Sequence, residues 1–388
     1  MDKVTLKSVL TLFDVFFVSL GYIVGAGIYS LIYMSTKHGG KFTWLSFIIG
    51  GLISLMTGLS YAELSKHYDT NASEFDYITK TITNKFSKLL AIFLIISGIV
   101  VTATLALAFS NLFYKLFKIP FNIILFFIVL VPTIINIIDV KLTTNTNMKI
   151  SMVESSTLIL LILLSIPKWK LSEMIGDFDI KGITYGAFLT ILAFSGYESI
   201  PKLAEETQDS KINIPKAIIW SLTLTIIMYT LTSISINSLL GTKNVMQTIN
   251  PITKSFELLF GNKINIIINI ISLFSIFNTV MLTLLFTSRQ LYGISKQGVL
   301  PKFFSKVNSK TRTPIRAIIF VSLCVFLSTF IKNIEFTNHI SNLTMFIIFL
   351  LVNLSAIILR KKQNKNISIN SILGLVSSLI MIVFTFFR

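Results

Sequence analysis

Two short stretches combine small, aromatic and acidic residues inside otherwise apolar runs. One is Gly-Ala-Gly at 25–27, and the other is Phe-Ser-Gly-Tyr at 194–197, followed directly by Glu198. Glycine lets the backbone leave helical geometry, so that a ligand can approach exposed peptide groups. N–H groups at the start of a half-helix attract an anion, and carbonyl groups at the end of one attract a cation. The chemistry expected here is the binding of a small molecule that carries both charges.

The composition places these stretches in a membrane. Hydrophobic residues make up 53% of the 388 residues, charged residues make up 13%, and the mean hydropathy is +0.78. A water-soluble core and surface could hardly accommodate this balance, so we expect one polytopic domain over 1–388 that is embedded in a lipid bilayer. The net charge of +17 lies at the ends of apolar runs, which indicates topology signals and no nucleic-acid partner. The single cysteine, Cys324, excludes an internal disulfide.

About eleven apolar runs are long enough to be transmembrane helices. Most of the 34 basic residues fall on one side of the membrane if the N-terminus is cytoplasmic, as the positive-inside rule predicts for a cell-membrane protein in that orientation. We expect amphipathic helices in the loops 63–87, 241–262 and 290–312. The predicted spans are 12–34, 42–62, 88–113, 120–138, 150–166, 183–203, 216–240, 264–288, 314–331, 338–359 and 369–387.

The two small-residue stretches fall in the first and the sixth of these spans. An unpaired backbone group is unfavourable in hydrocarbon, so a broken helix persists only where neighbours or a polar cavity supply partners. The first ten spans divide into five-helix halves at 12–166 and 183–359, and 369–387 is an additional helix. This is the pattern of an inverted-repeat transporter with a binding site where the breaks meet. The alternative for residues 25–27 is close helix packing, a common use of glycine in membranes.

Three stretches carry a resemblance to a known family. They are VGAGIY at 24–29, AFSGYESIPKLAEETQDSKINIPKAI at 193–218 and SRQLYGISKQGVLPKFFSKVNSKTRTPIRAI at 288–318. With them, the chain resembles an amino acid permease of the amino acid/polyamine/organocation superfamily. The resemblance implies an all-α fold like that of the sodium-coupled leucine transporters, a 5+5 inverted repeat with broken first and sixth helices. The chain departs from the family in having eleven spans where twelve are usual.

The resemblance also implies an amino acid as the substrate. We predict that peptide N–H groups at 25–27 bind its carboxylate and that carbonyls of Ile23 and of residues 194–197 face its ammonium. Phe194 and Tyr197 would close over the substrate, although ordinary aromatic packing is the alternative. The predicted substrate-binding residues are Ile23, Gly25, Ala26, Gly27, Phe194, Ser195, Gly196, Tyr197, Ser275 and Asn278.

Two acidic residues inside predicted spans are candidates for coupling or gating, because ionisable groups in a membrane are usually functional. Glu198 follows the second break and could hold the unwound backbone or carry a proton. Glu154 takes a place in the fifth span where some proton-coupled relatives have a lysine. The alternative for Glu154 is snorkelling or pairing with Lys149, because the predicted span begins nearby.

The expected function is secondary active amino acid transport by alternating access, driven by proton symport or by amino acid exchange, with sodium a possible partner. A non-transporting amino acid sensor with the same fold is the alternative. We expect no cofactor and no metal. We expect no enzymatic activity, because the three histidines lie at span ends or in loops without an acidic partner. The substrate, the coupling ion and the oligomeric state stay open.

Overall fold

The computed structural model describes residues 5–25, 27–248, 250–331 and 334–386, and these residues are almost entirely helical. They contain no β-strand, and a single bridge joins the backbones of Leu10 and Thr207. The α-helices are α1 Leu12–Ile23, α2 Gly27–Gly39, α3 Thr43–His67, α4 Ser73–Thr81, α5 Ser87–Phe117, α6 Phe121–Ile138, α7 Val140–Ser165, α8 Ile180–Ala193, α9 Ser210–Leu240, α10 Thr242–Val245, α11 Pro251–Phe260, α12 Ile264–Lys296, α13 Ile315–Ser328, α14 Ile334–Lys362 and α15 Ile369–Phe386.

Both predicted helix breaks are present. Helix α1 ends at Ile23 and α2 begins at Gly27, so the first predicted span consists of two half-helices. Helix α8 ends at Ala193, and a 3₁₀ helix follows over Tyr197–Glu206. Gly196 turns the chain between them with a φ of +133°, a conformation that residues with a Cβ rarely adopt. Glycine thus provides the local freedom that the second break requires.

The remaining predicted spans are also helical. Seven helical stretches within the described residues are long and apolar enough to cross a membrane, and the two broken pairs and the shorter helices α13 and α15 complete the predicted set of about eleven. The predicted fold class, a polytopic all-α membrane protein, is confirmed. The limits of the two repeats, 12–166 and 183–359, stay a prediction. The seven long stretches are Leu31–His67, Ser87–Phe117, Phe121–Ile138, Val140–Lys168, Ser210–Leu240, Ile264–Lys296 and His339–Lys362.

Two boundaries differ from the prediction. Helix α7 begins at Val140 and not at residue 150, so Glu154 lies near the middle of a long helix. Helix α12 continues to Lys296, which leaves only a short 3₁₀ turn at Lys302–Ser305 where a loop helix was expected at 290–312. In both places the sequence is polar, as loop sequences often are, but polar side chains such as Asn147 and Arg289 are buried against neighbouring helices. The other two loops do carry short helices, α4 in one and α10 with α11 in the other.

The half-helices lie inside the bundle. Helix α1 packs against α7 and α9, α2 and α8 pack against each other, and both broken elements contact α3. At the end of the bundle that contains residues 5–11, the backbone N–H groups of Val9 and Leu10 donate to the Glu206 carbonyl. We call this end the N-terminal side. The Gln208 N–H donates back to the Leu10 carbonyl, so the segment before α1 and the end of the 3₁₀ helix are tied together on this side.

Gly21 marks the closest approach between α1 and α7. A Cβ at this position would overlap the Ser151 hydroxyl and would lie 2.5 Å from Asn147 Oδ1. We therefore expect Gly21→Ala to lower the free energy of unfolding by about 1–3 kcal/mol, as overpacking of an interior does. Thermal unfolding in detergent measures the change. Ser151→Gly in the same chain should restore part of the loss, and unchanged stability of the single variant would contradict the close contact.

Candidate functional site

The two breaks border a single cavity of about 270 Å³ in the middle of the bundle. Six of the predicted site residues line it, together with residues of α5, α12, α14 and the short helix α4. The helices α1 and α2 supply one wall, and α8 with the 3₁₀ helix supplies another. The predicted residues that the structure brings together here are Ile23, Gly25, Gly27, Ser195, Gly196 and Glu198. Ala26 was also predicted, and it lies outside the described residues.

The wall at the first break has the positive end of a helix dipole. Gly27 is the first residue of α2, so the positive end of this helix's dipole lies at the first break. A Cβ on Gly25 would lie 2.7 Å from Thr279 Oγ1, so a side chain here would press against α12. A Cβ on Gly27 would lie 3.6 Å from the Ala193 Cα, an ordinary contact. Because Gly25 and Gly27 have no side chains, an anionic group can come close to the backbone of this wall.

Glu198 stabilises the second break. Its Oε2 accepts a hydrogen bond of 2.6 Å from the Gly196 N–H, within the turn that leads into the 3₁₀ helix. The Ser195 hydroxyl donates to the Leu192 carbonyl at 2.7 Å, at the end of α8. The carboxylate thus accepts a hydrogen bond from a backbone N–H group that has no helical partner because the helix is broken there. The carboxylate is also part of the cavity lining.

A polar cluster closes the cavity towards the N-terminal side. Glu74 of α4 forms an ion pair of 3.1 Å with Lys202 and accepts a hydrogen bond of 2.9 Å from the Gln290 amide. Sequence reasoning missed these three residues. The only signal was the position of Lys202, four residues after Glu198, since nothing in the sequence indicates that α4 folds back against the bundle.

Beyond this cluster lies a buried ion pair between Arg289 and Glu206. The guanidinium donates from Nε and Nη2 to the two carboxylate oxygens, both at 2.9 Å, and both side chains are fully buried. Such bidentate geometry is the strongest form of the arginine–carboxylate interaction. Because Glu206 ends the 3₁₀ helix and Arg289 belongs to α12, the pair fixes the second broken element to a long helix.

The two predicted aromatic residues lie behind the cavity wall. The Phe194 ring packs against Phe47 and Tyr229, with ring centroids 6.3 Å and 5.2 Å apart. The Tyr197 ring stacks on Phe349 with centroids 5.9 Å apart. In this structure the rings stabilise the bundle around the cavity, and their closing over a substrate stays a prediction. That the backbone carbonyls of Phe194 and Tyr197 face the substrate's ammonium group stays a prediction.

The Ile23 carbonyl, which was predicted to face the substrate's ammonium group, has a hydrogen-bond partner within the protein. The Ile23 carbonyl accepts a hydrogen bond of 2.9 Å from the Tyr229 hydroxyl. A carbonyl oxygen has two lone pairs and can accept a second hydrogen bond. Tyr229 thereby holds the end of α1 in place.

Ser275 and Asn278 lie on a face of α12 that the cavity does not include. The Asn278 amide donates to Asn147 Oδ1 at 3.0 Å and to the Gly21 carbonyl at 3.3 Å. The next turn of the same helix lines the cavity instead, through Thr279 and Thr283. The predicted residue Asn278 therefore supports α1 and α7 in this structure, and a contact of Ser275 or Asn278 with a substrate stays a prediction.

Glu154 is buried near the middle of α7, apart from the cavity. Its carboxyl group faces the Ser275 hydroxyl, and neither carboxyl oxygen forms a hydrogen bond with the described residues. It does not pair with Lys149 in the described structure, and its side chain is only 1% exposed, so the snorkelling alternative is wrong. A separate, mostly apolar space of about 340 Å³ between α7 and α12 reaches it.

Within the described residues, no group of three or more histidine, cysteine or acidic side chains could hold a metal ion. The cavity instead offers the positive end of a helix, backbone carbonyls, hydroxyl groups and two carboxylates. This arrangement can bind a small polar molecule with separated charges.

Comparison with known proteins agrees with this geometry. The family model described as amino acid permease matches residues 10–388. The chain is 24% identical to the methylthioribose transporter and 24% identical to the branched-chain amino acid permease BcaP, both of Bacillus subtilis (strain 168), over 92% of this chain and 82% of each relative. It is 22% identical to the chloroplastic cationic amino acid transporter 7 of Arabidopsis thaliana, over 92% of this chain and 66% of that protein. The chain is a multi-pass membrane protein that belongs to the amino acid permease family of the amino acid/polyamine/organocation superfamily.

Proposed function

We propose that the protein is a secondary active transporter that carries amino acids across the cell membrane by alternating access. The observation that carries the proposal is that both helix breaks line the same cavity, with Gly25 and Gly27 on one wall and Ser195, Gly196 and Glu198 on another. Such a site offers opposite partial charges to the two ends of one zwitterion.

The substrate's carboxylate binds at the N-terminus of α2, beside Gly25 and Gly27. Its ammonium group faces the carbonyls at the end of α8 and the carbonyl of Ile23. The relatives' names support this class of substrate, since two of the three are described as amino acid transporters or permeases. The proposal needs no side chain from Phe194 or Tyr197 inside the cavity.

The N-terminal side is cytoplasmic in this proposal, and the structure represents the state closed on that side. The Glu74–Lys202 cluster and the Arg289–Glu206 pair lie between the cavity and this side. Opening towards the cytoplasm requires the 3₁₀ helix to separate from α12. The same motion would release the hydrogen bonds between Leu10 and the end of that helix.

Glu154 is the residue that we propose as the proton carrier. It is an intramembrane carboxyl without an ion-pair partner in the described structure, and such groups commonly mark proton relays. Ser275 lies beside it, and one turn later in α12 Asn278 contacts the Gly21 carbonyl near the first break. A change in the charge of Glu154 can therefore act on α1.

The test of the proposed function is counterflow in proteoliposomes. Purified protein is reconstituted with an unlabelled amino acid inside, and uptake of labelled amino acids is followed with and without a pH gradient. Accumulation that depends on the protein supports a transporter. Binding without exchange would indicate a sensor that keeps the permease fold, and absence of binding for the whole panel would overturn the proposal.

Glu154→Gln is expected to abolish the response of uptake to the pH gradient. The amide resembles the protonated carboxyl group and cannot release a proton. Amino acid exchange should therefore continue, and its rate should not depend on the pH gradient. Glu257→Gln is the matched control, because Glu257 is a partly exposed acid of α11 outside the cavity. If Glu154→Gln responds to the pH gradient as the unmodified protein does, another group carries the proton.

A further inference from the structure

Two tyrosine hydroxyl groups are buried on the N-terminal side without a hydrogen-bond partner. They belong to Tyr61 of α3 and Tyr77 of α4, whose side chains are fully buried. Neither hydroxyl forms a hydrogen bond with the described residues, and almost no surface of either oxygen is open to a water molecule. Buried polar groups normally have a partner, so two unsatisfied hydroxyl groups in one cluster require an explanation.

The Tyr61 ring lies where four structural elements meet. Its centroid is 6.2 Å from that of Tyr77, 6.0 Å from that of Tyr197 and 6.3 Å from that of Phe349, each in edge-to-face geometry. Tyr197 is the first residue of the 3₁₀ helix, and Phe349 belongs to α14. The Tyr61 hydroxyl is therefore shielded from water only while α3, α4, α14 and the 3₁₀ helix remain packed together.

The carboxylate in this region has other partners. Glu74 lies one turn before Tyr77 in α4, and it accepts hydrogen bonds of 2.9 Å from the Ser73 hydroxyl and the Gln290 amide. It also pairs with Lys202 at 3.1 Å. Neither tyrosine hydroxyl is among the groups that donate to Glu74. The closed structure thus satisfies the polar groups around the two tyrosines but not the tyrosine hydroxyl groups themselves.

Opening of the N-terminal side would change this balance. In the proposed function the 3₁₀ helix separates from α12, and Tyr197, at its start, moves away from the Tyr61 ring. Water then reaches the hydroxyl groups and forms the hydrogen bonds that the closed structure does not supply. A hydroxyl group buried without a partner has a higher free energy than a hydrated one, so these two groups favour the open state.

Other groups favour the closed state, because they bond the 3₁₀ helix to α12. The Tyr292 hydroxyl donates to the Glu205 carboxylate at 3.2 Å, and the Arg289 guanidinium pairs with Glu206. Both interactions are lost when the 3₁₀ helix separates from α12. The closed N-terminal side therefore contains interactions that hold it together and two hydroxyl groups that oppose them.

We propose that the hydroxyl groups of Tyr61 and Tyr77 act as an opening device. They are unsatisfied in the closed state and hydrated in the open state, and they offset part of the bonding that holds the N-terminal side closed. The inference rests on the proposed function, because it requires this side to open. The two tyrosines act on the conformational equilibrium and do not touch the substrate, since neither lines the cavity.

The experiment measures how often the cavity is open to the N-terminal side. Cys324→Ser removes the single cysteine, and Val101→Cys places one thiol on the cavity wall in α5. A membrane-impermeant maleimide is added to the N-terminal side of membrane vesicles without an amino acid, and the labelling rate is measured. Lys310→Cys, in a separate chain, reports the sidedness of the vesicles, since it lies in an exposed loop whose Arg312 donates to the Thr5 carbonyl.

Tyr61→Phe removes the hydroxyl and keeps the ring. We expect labelling of the thiol at position 101 to slow by about fivefold or more, because the closed state no longer contains this unsatisfied group. Tyr77→Phe should act in the same direction. Tyr68→Phe is the matched control, because the Tyr68 ring lies 5.8 Å from that of Tyr77 but its side chain is partly exposed. It should change the rate by less than about twofold.

Tyr292→Phe provides a comparison of opposite sign. It removes a hydrogen bond that only the closed state contains, so labelling should become about twofold to tenfold faster. Thermal unfolding in detergent is the second readout. Tyr61→Phe should not lower the unfolding temperature, whereas Tyr292→Phe should lower it.

Unchanged or faster labelling in Tyr61→Phe, or a lower unfolding temperature, would overturn the inference, because the hydroxyl would then have a partner in the closed state. The proposed function would stand in that case, as long as the parent chain is labelled from the N-terminal side. Tyr77→Phe repeats the test if Tyr61→Phe fails to fold, and failure of both to fold would also overturn the inference. Labelling of Lys310→Cys without labelling at position 101 in any chain would overturn alternating access as well.

Discussion

Gly27→Leu is expected to abolish amino acid binding while the protein remains folded in detergent. A Cβ at Gly27 would lie 3.6 Å from the Ala193 Cα and 3.8 Å from Leu31 Cδ1, so the first carbon of a side chain fits between the half-helices. The further carbons of leucine must extend into the cavity and cover the first turn of α2. The proposed carboxylate site would then be blocked, and affinity should fall by about a hundredfold or more, the equivalent of about 3 kcal/mol.

Binding of a labelled amino acid to the purified variant measures this effect, and size-exclusion behaviour with thermal unfolding checks the fold. Gly27→Ala is the matched control, since its single methyl group makes only ordinary contacts, and it should retain most of the affinity. Full affinity in Gly27→Leu would refute the carboxylate site. Equal loss in both variants would show that helix geometry, and not steric blocking, controls the site.

Arg289→Leu is expected to destabilise the protein by about 3–5 kcal/mol, the range for breaking one partner of a buried ion pair. Both side chains of the Arg289–Glu206 pair are fully buried and joined by two hydrogen bonds of 2.9 Å. Removing the guanidinium leaves the Glu206 carboxylate without its charged partner in the interior. Thermal or denaturant unfolding in mixed micelles measures the loss.

Two comparisons make this result specific. The double variant Arg289→Leu with Glu206→Leu removes both charges and should recover much of the stability, because apolar replacement of a whole buried pair is often neutral. Lys254→Leu breaks the exposed pair between Lys254 and Glu257 and should change stability by less than about 1 kcal/mol. If Arg289→Leu unfolds like Lys254→Leu, the buried pair does not stabilise the closed N-terminal side.

The helix breaks could be predicted because their cause is local. Small residues mark both breaks in the sequence, and Gly196 adopts a conformation that the neighbouring apolar residues would not adopt. The start of α7 could not be predicted in this way. Its first turns contain polar residues typical of a loop, but Thr143 and Asn147 are buried there and bond to Asn136 and Asn278 of other helices. Only the folded bundle supplies those partners.

The same limit applies to the site. The motif at 194–197 places two aromatic residues next to a break, but the turn at Gly196 and the 3₁₀ geometry decide which way their rings point. Glu74, Lys202 and Gln290 come from three separate elements, so no spacing in the sequence connects them. Glu198 was predicted because an acid inside an apolar run is conspicuous on its own.

The 3₁₀ geometry of Tyr197–Glu206 sets the distance between the second break and the Arg289–Glu206 pair. Ten residues at about 2.0 Å each extend about 20 Å, whereas the same residues in an α-helix would extend about 15 Å. Pro201 opposes the shorter form, because its ring would collide with the carbonyl four residues earlier. The proline therefore acts as a spacer, and it holds the two ends of this segment about one helical turn further apart than an α-helix would.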